Sequence, residues 1–315
     1  MIVDGHLDIA WNALSSGRGF EGDPAPGHLV SRTALESAGV GLVFATLFAA
    51  PHSDPEMRES GQTYRNAREA RLLALAQLGY YRAVGLPIVR TRDDLERAGL
   101  QAVILMEGAD PIETPAQVPD WWERGVRIVG PAWGATRYAG GTHAPGGLTA
   151  AGRRLLPAME RAGMILDLSH LAERSIAGAL ETWRGPLIAS HSNAQALVGG
   201  DRQLSDATVA EVGRRGGVVG ISFYHRHLRS DGKPAHLDDV VRHARHLATA
   251  AGGPEHVGLG TDADGGFAAD GAAVDDLREL TELRRLLERR FSPVQAEGIM
   301  GGNWLAFLKR NLPTR

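Results

Sequence analysis

Residues 1–11 read MIVDGHLDIAW, a strand-like run that sets Asp4, His6 and Asp8 on alternate positions. In a strand, residues two apart share a face, so an imidazole here lies beside carboxylates. Facing solvent, the stretch is a polar edge strand. Facing inward, it is half of a metal site. The rest of the chain must decide which.

The 315-residue chain is 43% hydrophobic and 23% charged, with a formal net charge of −3, the profile of an ordinary soluble protein with ample chain for a large core. No block of Lys and Arg suggests a nucleic-acid surface. Cysteine is absent, which excludes disulfides, thiolate metal sites and thiol catalysis. The longest apolar run, GVGLVFATLFAAP, is too short to span a bilayer. The start of the chain has neither the basic stretch nor the apolar segment of a signal peptide, so a cytoplasmic location is expected.

Short apolar runs alternate with helical patterns throughout. The strand candidates are MIVDGHLD, GLVFATLFA, AVILMEG, VRIVGPA, MILDLSH, PLIASHS, GVVGISFY and HVGLGTDAD. Stretches of 3.6-residue periodicity lie between them, among them YRNAREARLLALAQLGYYRAV and LDDVVRHARHLATAAG. Ser292, Pro293 and Gln295 carry the signature of a capped start to the last helix. Eight apolar strands alternating with helices predict a (β/α)₈ barrel, in a single domain over residues 1–315. The glycine-rich phosphate turn of a dinucleotide-binding sheet is missing after the first strand.

In such a barrel, chemistry gathers at the C-terminal ends of the strands. Those ends carry His6 and Asp8, Glu107, His170, His191, and Asp262 with Asp264. Singly, each is an ordinary polar residue leaving a core. Together, in a closed barrel, they meet at one mouth. Imidazole and carboxylate without thiolate suit zinc or a similar ion. The ligands are too many for one catalytic zinc, so two metals with a bridging ligand are expected. The only lysines are Lys233, in a loop, and Lys309, in the last helix, which leaves Glu107 as the bridge. His243 and His246 are expected on a solvated helix. His225 and His227, after strand 7, and His143, in the glycine-rich loop YAGGTHAPGG, are candidates to line the site.

Taken in order, DGHLD, LMEG, LDLSH, ASHSNAQAL, DRQLSD, RGGVVGISFY, GLGTDADG and GGNWLAFL resemble the signatures of the renal (membrane) dipeptidase family of zinc metallopeptidases, over nearly the whole chain. The resemblance implies an amidohydrolase-like barrel with two zinc ions that cleaves dipeptides, often with a D-residue on the C-terminal side. It implies that His6, Asp8 and Glu107 hold one zinc and that Glu107, His170 and His191 hold the other. Asp262 matches the proton-shuttling aspartate, Arg202 the arginine that binds the substrate carboxylate, and Tyr224 a pocket-lining position.

One departure bears on substrate. Where family members often carry Thr-His after strand 4, this chain has Ala132 and Trp133, and an indole can neither accept a proton nor bind metal. The expected reaction is hydrolysis of a dipeptide amide by hydroxide bridging the two metals, with a water pKa lowered towards ~7. The alternatives are another small amide such as an N-acyl amino acid, and a non-catalytic metal-binding barrel. The expected partner is a small-molecule substrate, with no nucleic acid and no membrane; pairing with a second copy of the chain stays open.

Overall fold

The computed structural model describes residues 1–55 and 57–314. Eight parallel strands form the central sheet: β1 (Ile2–Leu7), β2 (Val40–Phe48), β3 (Gln101–Glu107), β4 (Val126–Gly130), β5 (Ile165–Asp167), β6 (Leu187–Ile188), β7 (Val219–Ile221) and β8 (Val257–Leu259). Pairing runs from β6 back to β1, then across to β8 and β7. A parallel bridge between Ala189 and Val219 joins the two edges. Helices follow the strands, so this is the (β/α)₈ barrel that the alternation predicts.

The strands are buried on both faces because their alternate residues serve two different cores. Leu42, Phe44, Val103, Leu105, Ile128, Ile165 and Ile188 pack together inside the barrel. Their neighbours Val43, Ala45, Ile104, Met106, Val129 and Leu166 face the helices. A period of two with both phases apolar reads in sequence as one continuous apolar run.

Trp304, from the helix Asn303–Asn311, closes the barrel floor and donates from Nε1 to the Leu259 carbonyl at 2.8 Å. Its indole needs glycine on both neighbouring strands. A Cβ at Gly5 or Gly258 would lie 2.9 or 2.4 Å from the ring.

Two expectations change. The Ser292 capping box is present, yet the last helix is not continuous. Helix Pro293–Glu297 gives way to an irregular turn over Gly298–Gly302 before the chain resumes at Asn303. At Gly301 the backbone presses against β1, where a Cβ would sit 2.6 Å from the Met1 carbonyl oxygen. His243 is fully buried rather than solvated. It accepts from the Ala194 N–H at 3.3 Å and reaches the Leu228 carbonyl, so it pins loop to helix. No helix among the described residues is long and apolar enough to cross a membrane.

Candidate metal centre

The strand-end residues do converge. His6 Nε2 lies 3.8 Å from Asp8 Oδ1, 3.7 Å from Glu107 Oε2 and 3.9 Å from Asp262 Oδ1. The other oxygen of Glu107, Oε1, lies 3.2 Å from His170 Nε2 and 3.5 Å from His191 Nε2. One carboxylate thus turns one oxygen to each of two donor groups. The His6 and His191 rings stack at 3.6 Å, and the two nitrogens His170 Nε2 and His191 Nε2 are 2.9 Å apart. Ligand atoms of His6, Glu107 and His191, and of His6, Asp8 and Asp262, lie within 4.8 Å of one another. Asp262 therefore sits close enough to be a ligand as well as a proton carrier.

Local structure explains how these side chains are aimed. β5 and β6 stop at Asp167 and Ile188, three residues short of His170 and His191. Each histidine is carried on the turn beyond its strand. His170 and Asp262 both adopt left-handed backbone, φ +65° and +60°. Such conformations cost a non-glycine residue of order 1–3 kcal/mol and persist where the surroundings impose them. Ser190 Oγ donates to Asp167 Oδ2 at 2.6 Å and lies 2.8 Å from His191 Nδ1. With its hydrogen spent on Asp167, the hydroxyl accepts from Nδ1–H, which leaves the Nε2 lone pair of His191 facing Glu107. Thr142 Oγ1 contacts His170 Nδ1 at 2.9 Å in the same role, and Thr46 Oγ1 donates to Asp8.

The electrostatics favour a cation here. Burial pushes Asp8 up to about 6 and holds Glu107 and Asp262 well above the usual carboxylate range, with repulsion from Asp8 adding to both. Burial also drives His6 down to about 3 and His170 and His191 well below the ordinary imidazole value, so all three are neutral, the form that binds metal. Glu107 Oε1 is buried with no hydrogen-bond donor among the described residues. Crowded buried carboxylates with an orphaned oxygen and neutral imidazoles are a donor set that divalent cations fit.

A cavity of about 810 Å³ opens above this cluster. Arg202 is buried beside it, donating from Nη1 to Ser192 Oγ at 3.2 Å and from Nη2 to the His191 carbonyl at 2.8 Å. Both η nitrogens are partly committed, so Arg202 is a tethered donor rather than a free fork. Its Nε has no partner among the described residues. Tyr224 lines the cavity and stacks on Phe267 at 4.5 Å. Trp133 also lines the cavity, 5.2 Å from the Phe48 ring and 6.0 Å from that of His170. His143 stands at the rim, its side chain 87% exposed and 3.5 Å from Asp201.

One strand-end residue is not at the mouth. Asp264 is turned to the side, where it accepts from the N–H groups of Leu29 and Val30 and lies 3.7 Å from Arg18. Asp4 lies below the site and accepts from the Thr261 N–H at 2.9 Å, buttressing β8 just before Asp262. Sequence reading did not single out Thr46, Thr142 or Ser190, whose roles depend on pairings distant in the chain. Trp11, Phe48 and Phe267 were likewise not singled out as cavity walls, although all three line it.

The family described as "Membrane dipeptidase (Peptidase family M19)" matches residues 1–312. A Klebsiella pneumoniae protein described as an uncharacterized protein in the pqqA 5′ region is 32% identical over 76% of this chain and 93% of its own length. An uncharacterized dipeptidase of Schizosaccharomyces pombe is 36% identical over 52% of this chain, a stretch covering 40% of the yeast protein. Among solved structures, a Rhodobacter sphaeroides metallo peptidase liganded with a phosphinate mimic of the dipeptide L-Ala-D-Ala superposes with a TM-score of 0.85. It is 26% identical, and the match covers 98% of this chain and 99% of that one.

Proposed function

The chain belongs to the membrane dipeptidase family, peptidase family M19, and from that premise we propose that it is a zinc-dependent dipeptidase acting as one domain over residues 1–315. In this reading His6, Asp8 and Glu107 hold one ion, and Glu107, His170 and His191 hold the other. The observation that carries it is the split of Glu107, one oxygen towards His6 and one towards the His170–His191 pair. Bound divalent ions would supply hydroxide near neutral pH and polarise the scissile carbonyl.

The protein's own residues do the rest. Asp262 takes the water proton and returns it to the departing amine, a task suited to a carboxylate whose proton affinity burial has raised. Arg202, held on the β6 side by Ser192 and the His191 carbonyl, meets the terminal carboxylate and fixes the scissile bond over the donor cluster. A D-residue on the C-terminal side is part of the proposal, supported by the L-Ala-D-Ala mimic held by the Rhodobacter protein.

Trp133 favours a second substrate class. With Phe48 and Trp11 it forms an aromatic wall of the cavity, where it offers one N–H and no proton acceptor. An N-acyl amino acid, with an apolar acyl group in place of the charged amine, suits that wall. The test is a hydrolysis screen of zinc-reconstituted protein on L,L- and L,D-dipeptides and N-acyl amino acids, with elemental analysis of the same sample. About two metals per chain and turnover of a narrow set of substrates are expected. Protein that takes up no metal and cleaves nothing would overturn the proposal. Efficient cleavage of ordinary L,L-dipeptides would remove the specificity role of Trp133 alone.

Arg202→Ala is expected to raise KM for substrates ending in a free carboxylate and to change much less for their amidated analogues. Truncating one partner of a desolvated charge pair costs about 2–5 kcal/mol. Equal losses on both kinds of substrate would place Arg202 outside the carboxylate pocket.

A further inference from the structure

His227 lines the cavity and serves neither the metal centre nor the proton relay, and unlike His143 at the rim it is largely buried. It follows β7 and lines the cavity with Arg202 and Tyr224. Its setting is built rather than incidental. Asn193, two residues beyond His191, accepts from the Ser222 N–H at 2.8 Å and donates from Nδ2 to the carbonyls of Ser222 at 3.0 Å and His227 at 3.1 Å. A single side chain next to the metal-site turn therefore clamps the whole 222–227 segment. The Tyr224 ring packs edge-on against the imidazole at 5.0 Å.

The hydrogen bonds around the ring accommodate an Nε2–H tautomer. Ser222 Oγ accepts from the Tyr224 N–H at 3.4 Å and lies 3.0 Å from His227 Nδ1. With the Tyr224 N–H on one of its lone pairs, the hydroxyl has its own hydrogen to give to Nδ1, the arrangement in which the ring hydrogen sits on Nε2. Burial and the positive charge of Arg202 both hold the ring in its neutral form. Nε2–H meets no partner among the described residues, and it is not one of the fully enclosed orphan atoms, so it opens onto the cavity.

We propose that His227 is a substrate-binding residue, whose Nε2–H donates to the same terminal carboxylate that Arg202 attracts. The placement favours the carboxylate over the scissile group. Arg202 is tied to His191 and Ser192, and His227 is tied to the neighbouring Asn193, so both donors belong to the β6–β7 side of the mouth. Trp133 and Phe48 form a separate wall. The tether uses one hydrogen on each Arg202 η nitrogen and fixes the guanidinium, whose remaining hydrogens and unpartnered Nε–H stay available to a carboxylate, and an Nε2–H donor from His227 adds a second, independently anchored bond to it. The two sites differ in kind. Arg202 provides charge, and His227 provides a neutral, directional donor that discriminates acid from amide by geometry.

This inference rests on the dipeptidase reading, and steady-state kinetics can separate the two. The substrates are a dipeptide that the wild type cleaves and its C-terminal amide, assayed with zinc-loaded protein. His227→Phe keeps a ring against Tyr224 and removes the donor. It is expected to raise KM for the acid by roughly 10–100-fold, the usual worth of a hydrogen bond to a charged group, with kcat within about threefold. The amide should change by no more than a few-fold. His227→Gln, which retains an N–H donor, should recover most of the loss. His227→Ala gives the same readout should the Phe variant fold poorly. An unchanged KM for the acid, equal losses on acid and amide, or identical Phe and Gln variants would each overturn the role of His227 while the dipeptidase reading stands. A wild type that cleaves no dipeptide would overturn both.

Discussion

Asp262→Asn is expected to lower kcat on a dipeptide by roughly 10²–10⁴-fold, the usual worth of a general acid–base group, without loss of bound metal. Asn is nearly the same size, so the left-handed turn at φ +60°, which Asn tolerates well, should survive the change. The Asp262 N–H donates to the His6 carbonyl at 3.3 Å through the main chain, and that bond is unaffected. What disappears is the ability to take a proton, since a carboxamide is not protonated at neutral pH. Turnover and metal content measured on one preparation decide the matter. Because Asp262 Oδ1 is only 3.9 Å from His6 Nε2, loss of one metal along with activity would make Asp262 a ligand instead of the shuttle. Wild-type turnover would exclude both roles.

Glu107→Gln should have the larger effect, abolishing turnover together with metal binding. Outer-shell substitutions at metal sites typically cost 10–100-fold, and this change removes the shared anionic ligand itself. The stability of the metal-free protein should move the other way. Glu107 is buried with one oxygen unpaired, close to Asp8 and Asp262, so in the absence of a cation its charge opposes folding. A neutral amide relieves that repulsion, and the chelated variant should melt at or above the chelated wild type. Added zinc should raise the Tm of the wild type, by about 2.7 kcal/mol of stabilisation at a hundredfold excess over Kd, and leave the variant unmoved. Thermal melts with chelator and with zinc, plus elemental analysis, check both halves. A variant that keeps its full metal complement would remove Glu107 from the bridge.

The barrel was legible because its signal is local and repeated. Each strand buries both faces, so each appears as an apolar run, and polar residues mark where it leaves the core. The same logic made His6, Asp8, Glu107, His170, His191 and Asp262 legible as one mouth, since a closed sheet brings its strand ends together whatever the loops do. It failed where a side chain's direction matters. Asp264, two residues from Asp262, shares its alternation and its left-handed backbone, yet it bonds the distant Leu29 and Val30. His243 sits in a polar-looking helix stretch and is buried because of what the loop at Ala194 needs.

By itself, then, the sequence determined the strand count, the parallel order and the kinds of atom at the mouth, all set by periodicities of two and 3.6 residues and by composition. The tertiary structure alone decided which atoms meet. It turned the two oxygens of Glu107 towards different histidines and tethered Arg202 through Ser192 and the His191 carbonyl. It also brought Trp133 and His227 to the cavity wall. These outcomes depend on side-chain torsions and on hydrogen bonds between residues far apart in the chain, such as Asn193 to His227 and Thr142 to His170. Such bonds form only after the barrel has closed, and no local pattern encodes them.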